Sequence, residues 1–390
     1  MNTKSKKKLI IGITGIRSEY DIMSSVFKEI SERKMLKLKL IVTGAHMSKK
    51  YGETIKEIRK DGFKIAYSLK SLQEKGGLES RLIGLGMQVH KLAKVIMRMK
   101  PDFLIVLGDR EESMTAGLIS AYMNVPLIHI GGGDRVIGNV DDQIRHAVSK
   151  LAHIHIVTNE SSKQRLLKMG EQSFRVFNYG NPGLDRIINT PELPLKKIPE
   201  LKNFFLDKKE NFLVLIQHPL SSEVKSSKKQ IKITLEAIKE TNMKTIIIYP
   251  NSDVGSTDII KVIEGYRKFD NFKIIKNIPR HSFVNILRKC SCLVGNSSCG
   301  ILEAPILKIP VINIGNRQRG RLHAKNVVFV DHNKEKIKKS LNYVLNNRKY
   351  KKLLVNVDNP YGNGKSSKKI VDLIEKIKIN DKLLIKDITY

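Results

Sequence analysis

The sequence predicts an α/β protein in which two Rossmann-like, doubly wound domains face a cleft. Short apolar runs alternate with helical patterns along most of the 390 residues. This alternation is typical of parallel sheets that helices cover on both faces. The pattern breaks at 182–199 into prolines, lysines and short polar pieces, which indicate a linker. We therefore expect an N-terminal domain at 1–185 and a second domain of similar size at 186–364.

Strands are predicted from short apolar runs bounded by turn residues, and helices from apolar positions at helical spacing. In the first domain the strands are 9–13, 38–42, 103–107, 127–130 and 153–157, and the helices are 21–34, 53–61, 80–99, 112–123, 141–151 and 161–169. In the second domain the strands are 212–216, 244–249, 272–275, 310–314 and 327–330, and the helices are 228–240, 258–266 and 281–289. A further strand and turn begin at residue 291.

Composition argues against several classes of protein. The net charge is +33, but the lysines are scattered over nearly every predicted helix and only 6% of residues are aromatic. Surface lysines are therefore favoured over a nucleic-acid-binding face. Three cysteines without a second ligand pair indicate a reducing compartment and no zinc site. No run approaches the roughly 18 apolar residues of a membrane helix, and no targeting signal is recognised, so we expect a soluble, cytoplasmic protein.

The segment 291–321 carries the strongest functional signal. It reads as an apolar strand, a Gly-Ser turn, a helix start, a second strand and an arginine-rich loop. Ligands of doubly wound sheets bind beyond the carboxyl ends of the strands, where free N–H groups and hydroxyls attract phosphate. An acid one turn later could bind ribose hydroxyls, and arginines could bind a diphosphate. The residues available for these roles are Ser297, Ser298, Gly300, Glu303, Arg317, Arg319 and Arg321. A Gly-Ser turn without a ligand is the alternative.

Polar clusters also follow the predicted strands of the first domain. Arg17 could bind phosphate or belong to an ordinary turn. His46 is either a surface histidine or a proton-transfer group. Asp109 lies directly at a strand end beside Arg110, which fits a catalytic carboxylate, although a helix N-cap is a serious alternative.

Two more clusters complete the first domain. The glycines at 131–133 would let the backbone approach a ligand closely, and Asp134 follows them. Asp141 and Asp142 stand at a helix start, where they are either a cap or, if they face the crevice, a candidate acid/base pair.

In the second domain, strand ends are followed by His218 and by a polar loop that contains Asn251. We expect His218 to face the first domain across the cleft. Each of these signals is weak or moderate alone, and their shared position at strand ends gives them weight.

Together these residues resemble the hydrolysing UDP-N-acetylglucosamine 2-epimerases, including the epimerase half of the bifunctional animal epimerase/kinase. The resemblance spans nearly the whole chain. It rests on these motifs in family order: GIRSEYD, VTGAHMSKKYGET, LGDR, VDDQIRHAVSKLAH, QHP, YPNSDVGS, GNSSCGILE, PVINIGNRQRGR and NPYGNGK.

The resemblance implies a GT-B type fold, with a helix at 365–377 and a segment 365–390 that crosses back to the first domain. It implies removal of the C2 proton, anti elimination of UDP to a glycal, and hydration to free N-acetylmannosamine for sialic acid-type synthesis. It implies no metal and no nicotinamide cofactor, and a homodimer or homotetramer.

The resemblance also implies roles for individual residues. Asp109 and Asp142 match catalytic carboxylates, and His218 matches the catalytic histidine. The positions that match nucleotide-binding residues are Arg17, Ser297, Ser298, Glu303 and Arg317. The positions that match polar residues on the sugar side are His46, Arg110 and Arg145.

One departure from the family concerns Gly131, where the family usually has a polar side chain. Asp134 could compensate, or the enzyme could act on a larger sugar, such as a UDP- or GDP-activated diacetylbacillosamine. A nucleotide-sugar-binding protein without turnover is a further alternative. The chain also lacks the Glu-Ala-Gly-Leu-Arg motif of the non-hydrolysing epimerases, which favours hydrolysis.

Overall fold

The computed structural model describes residues 7–73, 78–135, 140–204, 211–250 and 255–389. The chain forms two compact units: unit 1 comprises Met1–Ile188 and Tyr361–Tyr390, and unit 2 comprises Asn189–Pro360. Over the described ranges, none of the helices combines the length and apolarity that crossing a membrane would require.

Unit 1 is built on a seven-stranded parallel sheet of order β3-β2-β1-β4-β5-β6-β7. Its strands are β1 (Lys8–Thr14), β2 (Leu36–Val42), β3 (Ile65–Ser68), β4 (Phe103–Leu107), β5 (Leu127–Ile130), β6 (Ile154–Val157) and β7 (Val176–Asn178). Because the order reverses between β1 and β4, the carboxyl ends of these two strands mark the crevice where doubly wound sheets bind ligands.

Helices cover both faces of this sheet. They are α1 (Arg17–Glu32), α2 (Ile55–Lys60), α3 (Leu78–Met99), α4 (Glu111–Met123), α5 (Val140–Leu151), α6 (Glu160–Lys168) and α7 (Gly183–Asn189). Alternate residues of β1 face opposite cores: Ile10 packs in a cluster with Phe27 of α1, whereas Ile11 packs in a cluster with Leu92 of α3. This two-sided burial fixes the register of β1 and therefore the position of the loop that follows it.

Unit 2 has a six-stranded parallel sheet of order β10-β9-β8-β11-β12-β13, which reverses between β8 and β11. Its strands are β8 (Phe212–Ile216), β9 (Lys244–Ile248), β10 (Phe272–Ile275), β11 (Cys292–Gly295), β12 (Val311–Ile314) and β13 (Val327–Val330). Its helices are α8 (Ser227–Lys239), α9 (Ser256–Glu264), α10 (Arg280–Lys289), α11 (Cys299–Leu302), α12 (Lys334–Asn346) and α13 (Arg348–Val355).

After unit 2 the chain contributes two more helices to unit 1, α14 (Ser366–Lys376) and α15 (Asp381–Leu384). Helix α14 packs against α1, and Ile370 lies in the same apolar cluster as Phe27. Its start is held by Asp185, whose carboxylate accepts the backbone N–H groups of Ser366 and Ser367 at 3.0 and 2.6 Å.

The prediction of two parallel-sheet α/β domains is confirmed. The sequence patterns missed β3 and β7, which are the two edge strands of the unit 1 sheet. Both are short, and β3 has no fully buried residue, because half-buried and exposed positions alternate along it. An edge strand lacks the continuous apolar run by which the central strands were recognised.

Candidate active site

Most of the polar clusters predicted in unit 1 lie at the carboxyl edge of its sheet. The loops after β1, β4 and β5 carry Arg17, Asp109 and Asp134. Since β4 lies between β1 and β5, these loops are neighbours. The structure therefore brings together residues that are up to 117 positions apart in sequence, from 17 to 134.

Asp109 is held by Arg145 of α5. The Arg145 guanidinium donates to Asp109 Oδ2 and, at 2.8 Å, to the carbonyl oxygen of Gly131. Burial raises the pKa of Asp109, and the nearby carboxylate of Asp141 raises it further, whereas Arg145 opposes the rise. The side chain of Asp109 keeps 16% of its surface exposed. A partly exposed carboxyl with a raised pKa is suited to accept a proton from a bound molecule.

Asp134 stands beside the glycine turn at 131–133. Its Oδ1 accepts hydrogen bonds from the hydroxyls of Thr158 and Ser162 at 2.8 and 2.6 Å. A Cβ placed on Gly131 would lie 4.0 Å from Asp134 Oδ2 and 3.5 Å from Arg145 Nη1. One oxygen of Asp134 is thus held by hydroxyls, and the other borders the space that a side chain at position 131 would enter.

Asp141 and Asp142 lie in the first turn of α5, one turn before Arg145. Asp142 Oδ2 lies 3.9 Å from His146 Nε2, and their side chains are 25% and 33% exposed. Asp141 is also half-buried, and it is close enough to Asp109 to act on its pKa.

The structure contradicts the expectation that His46 is a surface histidine. His46 is completely buried, with its ring nitrogens 3.1 Å from Thr14 Oγ1 and 2.7 Å from Thr54 Oγ1. Burial lowers its pKa to about 4, so the ring is neutral near pH 7. His46 links Thr14 at the end of β1 to Thr54 at the start of α2, and its role as a proton-transfer group stays a prediction.

The two remaining predicted arginines of unit 1 are less buried than Arg145. Arg17 opens α1 and lies 3.5 Å from Glu57, with 30% of its side chain exposed. Arg110 is the N-cap of α4, lies 3.8 Å from Glu112 and is 37% exposed. The N-cap role that was the alternative for Asp109 therefore falls to Arg110.

Two buried carboxyl groups beneath this edge were missed by the sequence analysis. Glu19 accepts the backbone N–H of Gly15 at 3.0 Å, and a Cβ on Gly15 would lie 1.7 Å from Glu112 Oε1. Burial raises the pKa of Glu19 well above its usual range, with Glu112 adding to the shift, and burial also raises the pKa of Glu112. Glu19 belongs to the GIRSEYD motif, but no spacing in the sequence indicated that Glu112 turns inward.

In unit 2 the corresponding strand ends meet at Asn296. Its side chain accepts the backbone N–H of His218 at 2.7 Å and donates to the His218 carbonyl at 2.9 Å. Its own carbonyl accepts hydrogen bonds from Arg317 at 3.2 Å and from Gln318 at 3.1 Å. Asn296 therefore fixes His218 after β8 and the arginine loop after β12 to the turn after β11. Neither Asn296 nor Gln318 was predicted as a site residue.

The turn after β11 presents small polar groups rather than a long helix. The predicted helix start is only four residues long, α11, and Pro305, which cannot donate a helical N–H, falls in the 3-10 turn that follows. Among the described residues, no acceptor pairs with the backbone N–H of Ser297 or Ser298. These groups, and not the field of a long helix, can attract an anion here.

The other predicted residues of unit 2 have different surroundings. Glu303 forms an ion pair with Arg280 at 3.1 Å, with about a fifth of each side chain exposed. Arg319 is paired with Asp331 at 2.9 Å, and Arg321 is half-buried in the same loop. Gly300 serves packing, because a Cβ there would lie 2.8 Å from Val311 of β12. Asn251 lies outside the described residues.

The structure thus forms one cluster in each unit. In the described parts of the chain, no group of three or more His, Cys, Asp or Glu side chains is arranged to hold a metal ion. The cysteines at 290, 292 and 299 are all buried and free.

Comparisons with known proteins agree with the motifs. Residues 28–375 match the model of a family described as UDP-N-acetylglucosamine 2-epimerase. A protein of Legionella pneumophila named UDP-N,N'-diacetylbacillosamine 2-epimerase (hydrolyzing) is 35% identical over 377 residues, which cover 97% of this chain and 98% of that protein. A UDP-N-acetylglucosamine 2-epimerase of Neisseria meningitidis serogroup B is 33% identical over 330 residues, 85% of each chain.

Among solved structures, UDP-GlcNAc 2-epimerase from Neisseria meningitidis bound to UDP-GlcNAc superposes with a TM-score of 0.79. The match covers 95% of this chain and 100% of that one, at 22% sequence identity. This likeness concerns the fold.

Proposed function

Because this chain belongs to the UDP-N-acetylglucosamine 2-epimerase family, we propose that it is a hydrolysing 2-epimerase of a UDP-2-acetamido sugar. It converts the nucleotide sugar and water to UDP and the free 2-epimer of the sugar, in the cytoplasm. The single observation that carries this proposal is the Asp109–Arg145 pair, which holds a carboxyl of raised pKa at the carboxyl edge of the sheet.

In the first step Asp109 removes the proton from C2 of the sugar. The C–H electron pair forms the C1–C2 double bond as the bond from C1 to the UDP oxygen breaks, which leaves a glycal and UDP. The C2 proton is poorly acidic, so the base has to act while the leaving group departs. The raised pKa of Asp109 makes it a stronger base than an ordinary carboxylate.

In the second step water adds across the double bond. Its hydroxyl bonds to C1, and a proton is delivered to C2 on the face opposite to the one that lost it, which inverts that centre. We assign this delivery to Asp134 and Asp142, the other acids of the cluster in unit 1. Asp141 is a neighbour that raises the pKa of Asp109. Asp134 is well suited to the task because one of its oxygens borders the space left by Gly131.

Unit 2 holds the leaving group. The N–H groups of Ser297 and Ser298 and the guanidinium of Arg317 stabilise the diphosphate as its charge develops. Glu303, which Arg280 orients at 3.1 Å, accepts hydrogen bonds from the ribose hydroxyls. His218, whose backbone Asn296 brackets, acts on the sugar side of the diphosphate.

The preferred substrate is UDP-N-acetylglucosamine, whose product is N-acetylmannosamine. A second candidate is UDP-N,N'-diacetylbacillosamine, which is favoured by the Legionella relative because its similarity extends over 98% of that protein. Gly131 also supports a substrate with additional bulk, since position 131 itself contributes no side chain beside Arg145 and Asp134.

The proposal is tested by incubating the protein with both UDP-sugars in heavy water and following the products by NMR. We expect UDP, a free 2-epimer and deuterium at C2. Epimerisation with the sugar still attached to UDP would point to the non-hydrolysing reaction. Tight binding without any product, or product without deuterium, would contradict the proposed function.

A further inference from the structure

The segment 381–389 packs on unit 1 through two cations, the buried Arg175 and the partly buried Lys386. Arg175, 1% exposed, donates to the carbonyls of Leu383 at 2.6 Å and of Ile385 at 2.7 Å. Four residues after Ile385, the backbone N–H of Thr389 donates to the carbonyl of Gly170 at 3.0 Å. The segment is therefore fixed to the sheet by specific hydrogen bonds and not by apolar contact alone.

Lys386 connects this segment to the end of helix α5. Its ammonium group donates to the carbonyls of Lys150 at 2.8 Å and Ala152 at 2.6 Å and lies 3.3 Å from that of Ser149. Ser149 and Lys150 lie in the last turn of α5 and Ala152 directly follows it, and the carbonyls at a helix end lack the regular partner four residues on. Glu171, 1% exposed, lies 2.9 Å from the same ammonium group and balances its charge.

From the end of α5, a short chain of contacts leads to Asp109. The Ser149 hydroxyl lies 2.9 Å from the Arg145 carbonyl and 3.2 Å from His129 Nδ1. His129 Nε2 donates to the carbonyl of Gly108, the residue before Asp109, at 2.7 Å. Burial lowers the pKa of His129 to about 3, so the ring stays neutral and keeps one donor and one acceptor.

We propose that the segment 381–389 positions the acid/base cluster, with Lys386 holding the end of α5 so that Arg145 and His129 keep Asp109 in place. This role rests on the proposed function of Asp109. Lys386 and His129 are positioning residues, since neither is in contact with Asp109 itself. Small displacements of a reacting group cost large factors in rate, about a hundredfold for 1 Å.

The test replaces Lys386 with Met, which keeps the length of the side chain and removes the charge. Lys378, which is exposed and lies just before the same segment, is replaced with Met as the matched control. Hydrogen exchange is measured along α5, and the Asp109 carboxyl is titrated by carbon-13 NMR. Both measurements are independent of turnover, so they remain informative if the proposed reaction is not found.

In K386M we expect faster exchange in α5 and a higher pKa of Asp109. Three charged groups act on this carboxyl: Arg145 lowers its pKa, Arg110 also lowers it, and Asp141 raises it. A looser α5 weakens the effect of Arg145. If the enzyme turns over, kcat falls about tenfold, the acid limb of kcat/KM moves to higher pH, and UDP affinity is unchanged. K378M should match the unmodified protein in all five measurements.

Unchanged exchange and titration in K386M would overturn the proposal. So would exchange that rises evenly over unit 1, with activity lost only in proportion to the unfolded fraction. If K386M does not fold, S149A removes the hydroxyl on the same path while leaving the Lys386 contacts intact. It should raise the pKa of Asp109 by a smaller amount, and an unshifted titration in S149A would equally contradict the proposed path.

Discussion

Units 1 and 2 each contain a doubly wound parallel sheet, but the carboxyl edges of the two sheets carry different kinds of side chain. In unit 1 the edge carries half-buried, ionisable side chains that act on one another, as Arg145 and Asp141 act on Asp109. In unit 2 the central group is a neutral amide, Asn296, which ties His218 to the arginine loop. Proton transfer requires a pKa that the protein can tune, whereas holding a diphosphate requires fixed donors that do not change with pH.

The strongest test of this division is the substitution Asp109→Asn. It keeps the shape of the side chain but removes the base, so we expect kcat to fall about a thousandfold, measured as UDP release. UDP affinity, measured by calorimetry, should be unchanged because the proposed nucleotide-binding residues lie in unit 2. Asp270→Asn, at an exposed position of unit 2, is the control. Near-normal turnover in D109N would refute the role of Asp109.

The complementary test is Arg317→Met in unit 2. Loss of one charge-assisted contact to the diphosphate should weaken UDP binding about tenfold. Arg319, two residues on and paired with Asp331 at 2.9 Å, provides the matched control, and R319M should bind UDP normally. Equal weakening in both variants would mean that the loop contributes only general positive charge. The pKa of Asp109, titrated by NMR, should be the same in R317M as in the unmodified protein.

The smallest effect is expected for stability, from Glu112→Gln. The pKa of Glu112 is raised by burial, so between its unfolded and folded pKa values the folded state binds more protons. Stability therefore decreases as pH rises through this window, which begins at the ordinary pKa of glutamate, about 4.3. E112Q lacks this ionisation, so the melting temperature of the unmodified protein should fall relative to E112Q as pH rises above about 5.

Glu111→Gln is the control for that measurement. Burial by itself would raise the pKa of Glu111, but a backbone N–H, Arg110 and Arg81 together lower it below its usual value. It is ionised in both folded and unfolded states over this range, so E111Q should show no such slope. A parallel pH dependence of E112Q and the unmodified protein would contradict a raised pKa of Glu112.

The sequence predicted the central strands and the polar residues at their ends because both leave local signals. An apolar run marks a buried parallel strand, and the loop after it has to lie at the ligand edge. Asp109, Asp134 and Asp142 were found in this way. The same reasoning placed Ser297 and Ser298 in the turn after β11.

What the sequence could not predict depends on contacts between distant residues. His46 stands in a loop by sequence, but Thr14 and Thr54 bury its ring and satisfy both nitrogens. Asn296 became central only because β8 and β11 are neighbours in the sheet, although Asn296 and His218 are 78 positions apart in sequence. Arg280 similarly reaches Glu303 across 23 residues. Burial and long-range pairing of this kind have no signature within a short window of sequence.

The backbone at Gly131 has a consequence for how this enzyme could change over time. Its φ is +76°, a left-handed conformation that Asn and Asp tolerate better than other side chains, at a cost of roughly 1–2 kcal/mol. A Cβ there would make only ordinary contacts. A single base change turns many glycine codons into aspartate codons. A single mutation could therefore place a second carboxylate beside Asp134, whereas larger or β-branched residues at position 131 would be strained.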